Sequence, residues 1–120
     1  MEKKEIELGG RKYFIGKINP IEMMTISQAG IALYKKDEIT GEINIDLSSK
    51  KNVAALSTFY DLVFEHVFVQ LTETMIKPVK EKDVDVWWPE NIAEDYSTLF
   101  KLSQWFMEVV VFPVFMKSSE

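Results

Sequence analysis

Cysteine is absent from this 120-residue chain. That removes a disulfide framework, a thiolate metal site and a cysteine nucleophile together, and it suits a reducing cytosol. Histidine occurs once, at His66, so neither a histidine-based triad nor a two-histidine metal site can form within one chain. Positive charge is scarce too: 14 Lys and Arg stand against 19 Asp and Glu, for a net charge of −5. The basic residues fall largely into separate pairs (Lys3-Lys4, Arg11-Lys12, Lys35-Lys36, Lys50-Lys51). No dense basic stripe emerges, and nucleic acid is not an expected partner. Long apolar runs are also missing. No stretch approaches the roughly 18 residues that a membrane helix requires. Even Val109 to Met116, which carries no polar side chain, is short and interrupted by Pro113. The opening MEKKEIELGG lacks the apolar centre of a secretory signal. No membrane span is expected.

The usual signatures of chemistry are missing as well. Gly9-Gly10 is followed by neither the helix nor the lysine of a phosphate-binding loop. No serine sits in a nucleophile-elbow context. Asp83-Val84-Asp85 would project both acids to one side if extended, but a hard metal needs several further oxygens. No catalytic residue, metal site or cofactor is expected, and the chain reads as a non-enzyme.

What is present is apolar patterning, 47% of residues, within the length of one domain. EIELGGRKYFIGKI predicts a β-hairpin within residues 1–18, turned at Gly9-Gly10. Pairing Leu8 with Arg11 places Ile6 opposite Tyr13 and gives Ile6, Leu8, Tyr13 and Ile15 one face. Asn19-Pro20 is a cap followed by proline at the first helical position, and predicts a helix over 20–36. Thr40-Gly41 and the alternation of Ile43, Ile45 and Leu47 mark a loop or short hairpin. Ser48 or Ser49 caps a longer helix over 50–76, whose apolar wedge includes Val53, Leu56, Tyr60, Phe64, Val67, Phe68 and Leu71. A third helix is expected over 90–111, with Tyr96, Leu99, Leu102, Phe106 and Val109 as its stripe. The fold class expected is mainly α: a small domain of three or more helices with an N-terminal β-hairpin.

Residues 112–120 form an apolar tail. Carried on as a helix past Glu108, Phe112 and Phe115 would share the wet side of Lys101, Gln104 and Glu108. Pro113 cannot donate to the Val109 carbonyl and biases Phe112 toward an extended shape. The expectation is therefore a helix ending near Val111 and an apolar arm after it, laid onto its own core or onto a neighbour or client. Phe112, Phe115 and Met116 are candidate contacts. Trp87 and Trp88 are adjacent in a connector and Trp105 borders a polar helix face, positions where large aromatics suit a protein interface. Asp61 and Glu65 lie one turn apart with no matching lysine on the helix, an acidic ribbon that could meet basic residues of a partner.

The element order resembles that of the small tail assembly chaperones of long-tailed bacteriophages. GGRKYFIGKINPIEMM matches their glycine-turned opening that leads through proline into a helix, over Gly10 to Pro20. A long apolar helix and the phenylalanine-rich ending LFKLSQWFMEVVVFPVF extend the likeness. The resemblance implies a mainly helical, non-enzymatic protein of the infected host's cytoplasm that is absent from the mature virion. Its partner would be the hydrophobic tape measure protein, kept soluble until tail tube subunits assemble around it. Self-association is implied, as is contact with the tail tube protein through a longer frameshifted form. The family has no universally fixed binding residues, so none is carried over by position. A small structural tail or connector protein, or a helical adaptor or regulator, is the alternative.

Overall fold

The computed structural model describes residues 4–115. Strands β1 (Glu5–Leu8) and β2 (Arg11–Ile15) form the expected hairpin, with Ile6 opposite Tyr13 and Leu8 opposite Arg11. Gly9 and Gly10 take φ of 57° and 78°, the left-handed region that a tight hairpin turn demands. Helix α1 (Pro20–Leu33) starts where the sequence places it: the Asn19 side chain accepts from the Glu22 amide, with proline at the first position. It ends earlier than expected. Tyr34–Lys36 is strand β3, paired with β4 (Ile43–Ile45) as a separate two-stranded sheet.

The mainly α expectation is overturned after helix α2 (Lys50–Phe64), which Ser49 caps. It does not run on to residue 76. Strand β5 (Val67–Gln70) and strand β6 (Ile76–Pro78) follow, and the larger sheet has the order β1-β2-β5-β6, antiparallel throughout. The fold is α+β. The physical reason lies in Val67-Phe68-Val69, whose β-branched and aromatic side chains suit a pleated surface. Val67 and Val69 are fully buried, while Phe68 lies opposite Phe14 of β2. Gly16 makes this pairing possible, since a Cβ there would stand 2.5 Å from the Phe68 ring.

The third helical region also starts late. A single 3-10 turn at Ile92–Glu94 precedes α3 (Tyr96–Phe106), whose N-cap is Asp95. The Asp95 carboxylate accepts from the Thr98 hydroxyl and amide, and these bonds hold its pKa below the ordinary value. The cap's contribution is complete above the usual carboxylate range and is lost as pH falls through the lowered value.

The chain does not break at Val111. A π turn over Met107–Val111 passes directly into a short helix α4 (Phe112–Phe115), and Phe112 has helical φ and ψ of −62° and −38°. In the π turn the Phe112 amide reaches back to the Met107 carbonyl. The wider turn gives Pro113 room that it would contest with the Val109 carbonyl in an α-helix. The Phe112 side chain is buried in the protein's own core rather than carried on a free arm. Among the described residues, no helix is long and apolar enough to cross a membrane.

The core joins both sheets to the helices. Phe59, Val63, Phe64, Val79, Leu102, Phe106 and Met107 are fully buried. Tyr34 lies between Phe59 and Phe100, with centroid separations of 5.4 and 6.5 Å, and its hydroxyl meets Ser103 Oγ at 2.5 Å. Burial pushes the Tyr34 phenol far above its ordinary pKa. Helix α1 packs on α2 and on the π turn. Gly30 makes that approach possible: a Cβ there would lie 2.5 Å from Met107 Sδ and 3.0 Å from the Phe59 ring. Gly30→Val should therefore overpack this junction and lower stability by about 1–3 kcal/mol, read from the denaturant midpoint. Ser27 is buried on the same helix and its hydroxyl has no hydrogen-bond partner among the described residues. Ser27→Ala should leave the midpoint unchanged or raise it, by up to about 1 kcal/mol in stability.

Candidate functional site

The sequence-predicted candidates separate once placed. Trp105 is interior, and so is Phe112. The side of α3 read as wet is partly covered by β4, where Gln104 Nε2 donates to the Ile43 carbonyl at 2.6 Å. The backbone of Phe115 belongs to α4, and Met116 lies outside the described residues. Glu65 does not extend a free acidic ribbon. Its carboxylate lies 3.6 Å from Lys80 Nζ, and both side chains are largely buried. Lys80 lies shortly after β6, outside the helix, so a helix wheel could not reveal it.

Lys80 also organises the connector that carries the two tryptophans. Its ammonium donates to the carbonyls of Glu81 (3.2 Å) and Val84 (3.0 Å). Lys80 bridges Trp87 in antiparallel fashion, and the Glu81 amide donates to the Val86 carbonyl. The segment between them is a closed turn, with Asp83 at φ 64°, rather than an extended stretch with two aligned acids. Trp88 is half-buried; its indole N–H donates to Glu81 Oε2 at 2.9 Å, and Lys77 Nζ stands 5.2 Å from its ring centre. Trp87 is half-buried as well. Its ring meets Phe64 edge-on with centroids 6.0 Å apart, and its N–H donates to Asp85 at 2.8 Å.

Trp87 and Asp61 do come together. Both line an open groove of about 280 Å³ between α2 and the start of α3. One wall is a continuous stripe of α2: Val53, Leu56, Ser57, Tyr60 and Asp61. The opposite wall is Ala93, Tyr96 and Leu99. Val53 is 53% exposed and Tyr96 76%, so the groove has apolar rims that face solvent. Asp61 is its one charged lining residue.

A larger recess of about 440 Å³ lies beside the hairpin turn, between Arg11, Tyr13, Glu90 and Asp95. Asp95 is already engaged by Thr98, and the recess lacks the extended apolar wall of the first. His66, the single histidine, serves as a tie: its Nε2 meets Glu22 Oε2 at 2.8 Å, joining the start of α1 to the end of α2.

Compared with protein-family models, with curated proteins and with solved structures, the chain matches none of them. The groove is thus described by its own geometry. Val53 and Tyr96 are legible as helix-stripe residues expected in the core yet are exposed, whereas Leu99 is buried and Leu56 and Tyr60 pack partly buried against the core, as that reading expects. What the sequence does not disclose is that α2 and α3 touch only sparingly, which leaves the rims of the groove open to solvent.

The Lys80 tie generates a test. Lys80→Met should strand Glu65 as a largely buried, unpaired carboxylate and cost about 3 kcal/mol. Lys80→Met combined with Glu65→Leu should recover most of that loss. Thermal melts of the two variants beside the parent provide the measurement. Equal losses in both would show that packing, not the ion pair, supports this connector.

Proposed function

We propose that the protein is a non-enzymatic assembly chaperone that holds an apolar helical segment of a client in the groove between α2 and α3. The observation that carries this reading is the groove itself: two helical stripes and Trp87 enclose a trough about two turns long with exposed apolar rims. A helix laid there would cover the stripe that α2 and α3 leave uncovered. Exposed Ile21 and Met24 on α1 add adaptable apolar surface elsewhere, and the net charge of −5 favours solubility despite it.

The opening stretch through Pro20, with its resemblance to phage tail assembly chaperones, directs the choice of client. The tape measure protein is long, apolar and helical, and requires protection before the tail tube encloses it. On this reading the protein acts in the cytoplasm of an infected bacterium and leaves before the virion is complete. It works through binding alone, in several copies along one client, with no cofactor.

Co-expression with fragments of a tape measure protein tests the proposal. The fragments should move into the soluble fraction with the parent chain and return to the pellet with the double variant Val53→Glu/Tyr96→Glu. Both substituted positions are exposed, so the variant should keep its fold, which circular dichroism would verify. Fragments that stay insoluble alongside the folded parent would overturn the chaperone reading.

A further inference from the structure

The groove has a polarity. Its one charged lining residue, Asp61, stands at the C-terminal end of the α2 stripe, two turns after Val53. The carbonyl end of a helix carries partial negative charge, so the Asp61 end of α2 adds to the field of its carboxylate. Asp85, whose carboxylate accepts from the indole N–H of the lining Trp87 at 2.8 Å, stands beside the same groove. No lysine or arginine lines the groove. Lys80 is turned into its own connector and pairs with Glu65. Lys50 and Lys51 sit at the other end of α2, at its first two positions, before Val53.

From this distribution we infer that the groove selects a basic amphipathic helix: apolar anchors spaced i, i+3 or i+4, and i+7, with a Lys or Arg that meets Asp61 at one end. The inference rests on the groove being the client site and adds what that site discriminates. The apolar walls would take any helix of suitable size, because dispersion and burial carry no sign of charge. A carboxylate among them does carry one. An acidic side chain brought to Asp61 faces repulsion and a desolvation cost, whereas a cation brought there loses hydration but gains a partner. Asp61 would thus set both the choice of segment and the direction in which it lies.

The experiment uses the full chain and two labelled synthetic peptides of about three helical turns. They share leucine and phenylalanine anchors and differ at one flanking position, Lys in one and Glu in the other. Anisotropy titrations should give the Lys peptide a roughly three- to tenfold tighter Kd. Added salt should narrow that gap. The variant Asp61→Lys should reverse the order of the two peptides. Equal affinities, or a preference that survives Asp61→Lys, would overturn the inference while leaving the groove reading in place. Failure of both peptides to bind, or binding undiminished in Val53→Glu/Tyr96→Glu, would instead overturn the groove as the client site, and the charge selection with it.

Discussion

Helix α2 yields its last turn to a sheet rather than to water. The carbonyl of Phe64, one of the acceptors that a helix end leaves without an internal partner, takes the Lys80 amide at 3.0 Å. Val79 donates to Val67 at 2.7 Å, and Gly16 donates to His66 at 2.8 Å. Two distant segments, Val79-Lys80 and Gly16, therefore converge on the reversal at Glu65-His66. Phe64, Val67, Val69 and Val79 seal it with no exposed surface. Because β5 is central in its sheet, the N-terminal hairpin has a body to lie on, and a two-stranded ribbon that is marginal alone becomes part of four. The same reversal fixes where Lys80 emerges, and through Lys80 where Trp87 stands beside α2.

Local chemistry was legible wherever a few adjacent residues decide the outcome. Gly9-Gly10 dictated the turn and with it the full hairpin register, and Asn19-Pro20 and Ser49 dictated two helix starts. The failures share a different cause. Val63, Val67 and Leu71 recur at a spacing of four, which suits a helix face, but Val67 and Val69 equally suit one face of a strand. Only pairing with β2, some fifty residues earlier in sequence, decides between them. Tyr34 posed the same ambiguity at the end of α1: its ring is buried in a strand against Phe59 rather than on one more helical turn. Where the start of α3 was placed too early, Asp95 proved the stronger cap than the acids before it.

The groove was legible in part. Asp61 and Trp87 were singled out for sign and size, and they meet. Trp105, Phe112 and Glu65 were singled out by the same reasoning and turn inward, Glu65 onto Lys80 from a distant part of the chain. An exposed aromatic and a buried one look alike in a sequence. The difference between them is decided by how closely two helices approach, and that depends on residues such as Gly30, whose missing side chain draws α1 onto Met107 and Phe59.

The π turn at Met107–Val111 amounts to a residue of slack wound into a helix. In an uninterrupted α-helix Phe112 would point within about 40° of Glu108, at about 100° per residue, and Glu108 is exposed. Each residue of the wider turn rotates the chain by less, so the phase slips and Val110, Val111 and Phe112 are buried in succession. The segment behaves as a gear with an extra tooth: its length, more than the identity of any one side chain, sets which way everything after it faces. Point substitutions that preserve apolar character leave that gearing in place. Unwinding the π turn with every residue kept would not, since it would swing Phe112 toward Glu108 and solvent, whereas removing one residue would take up the slack and leave the later side chains near their present phase.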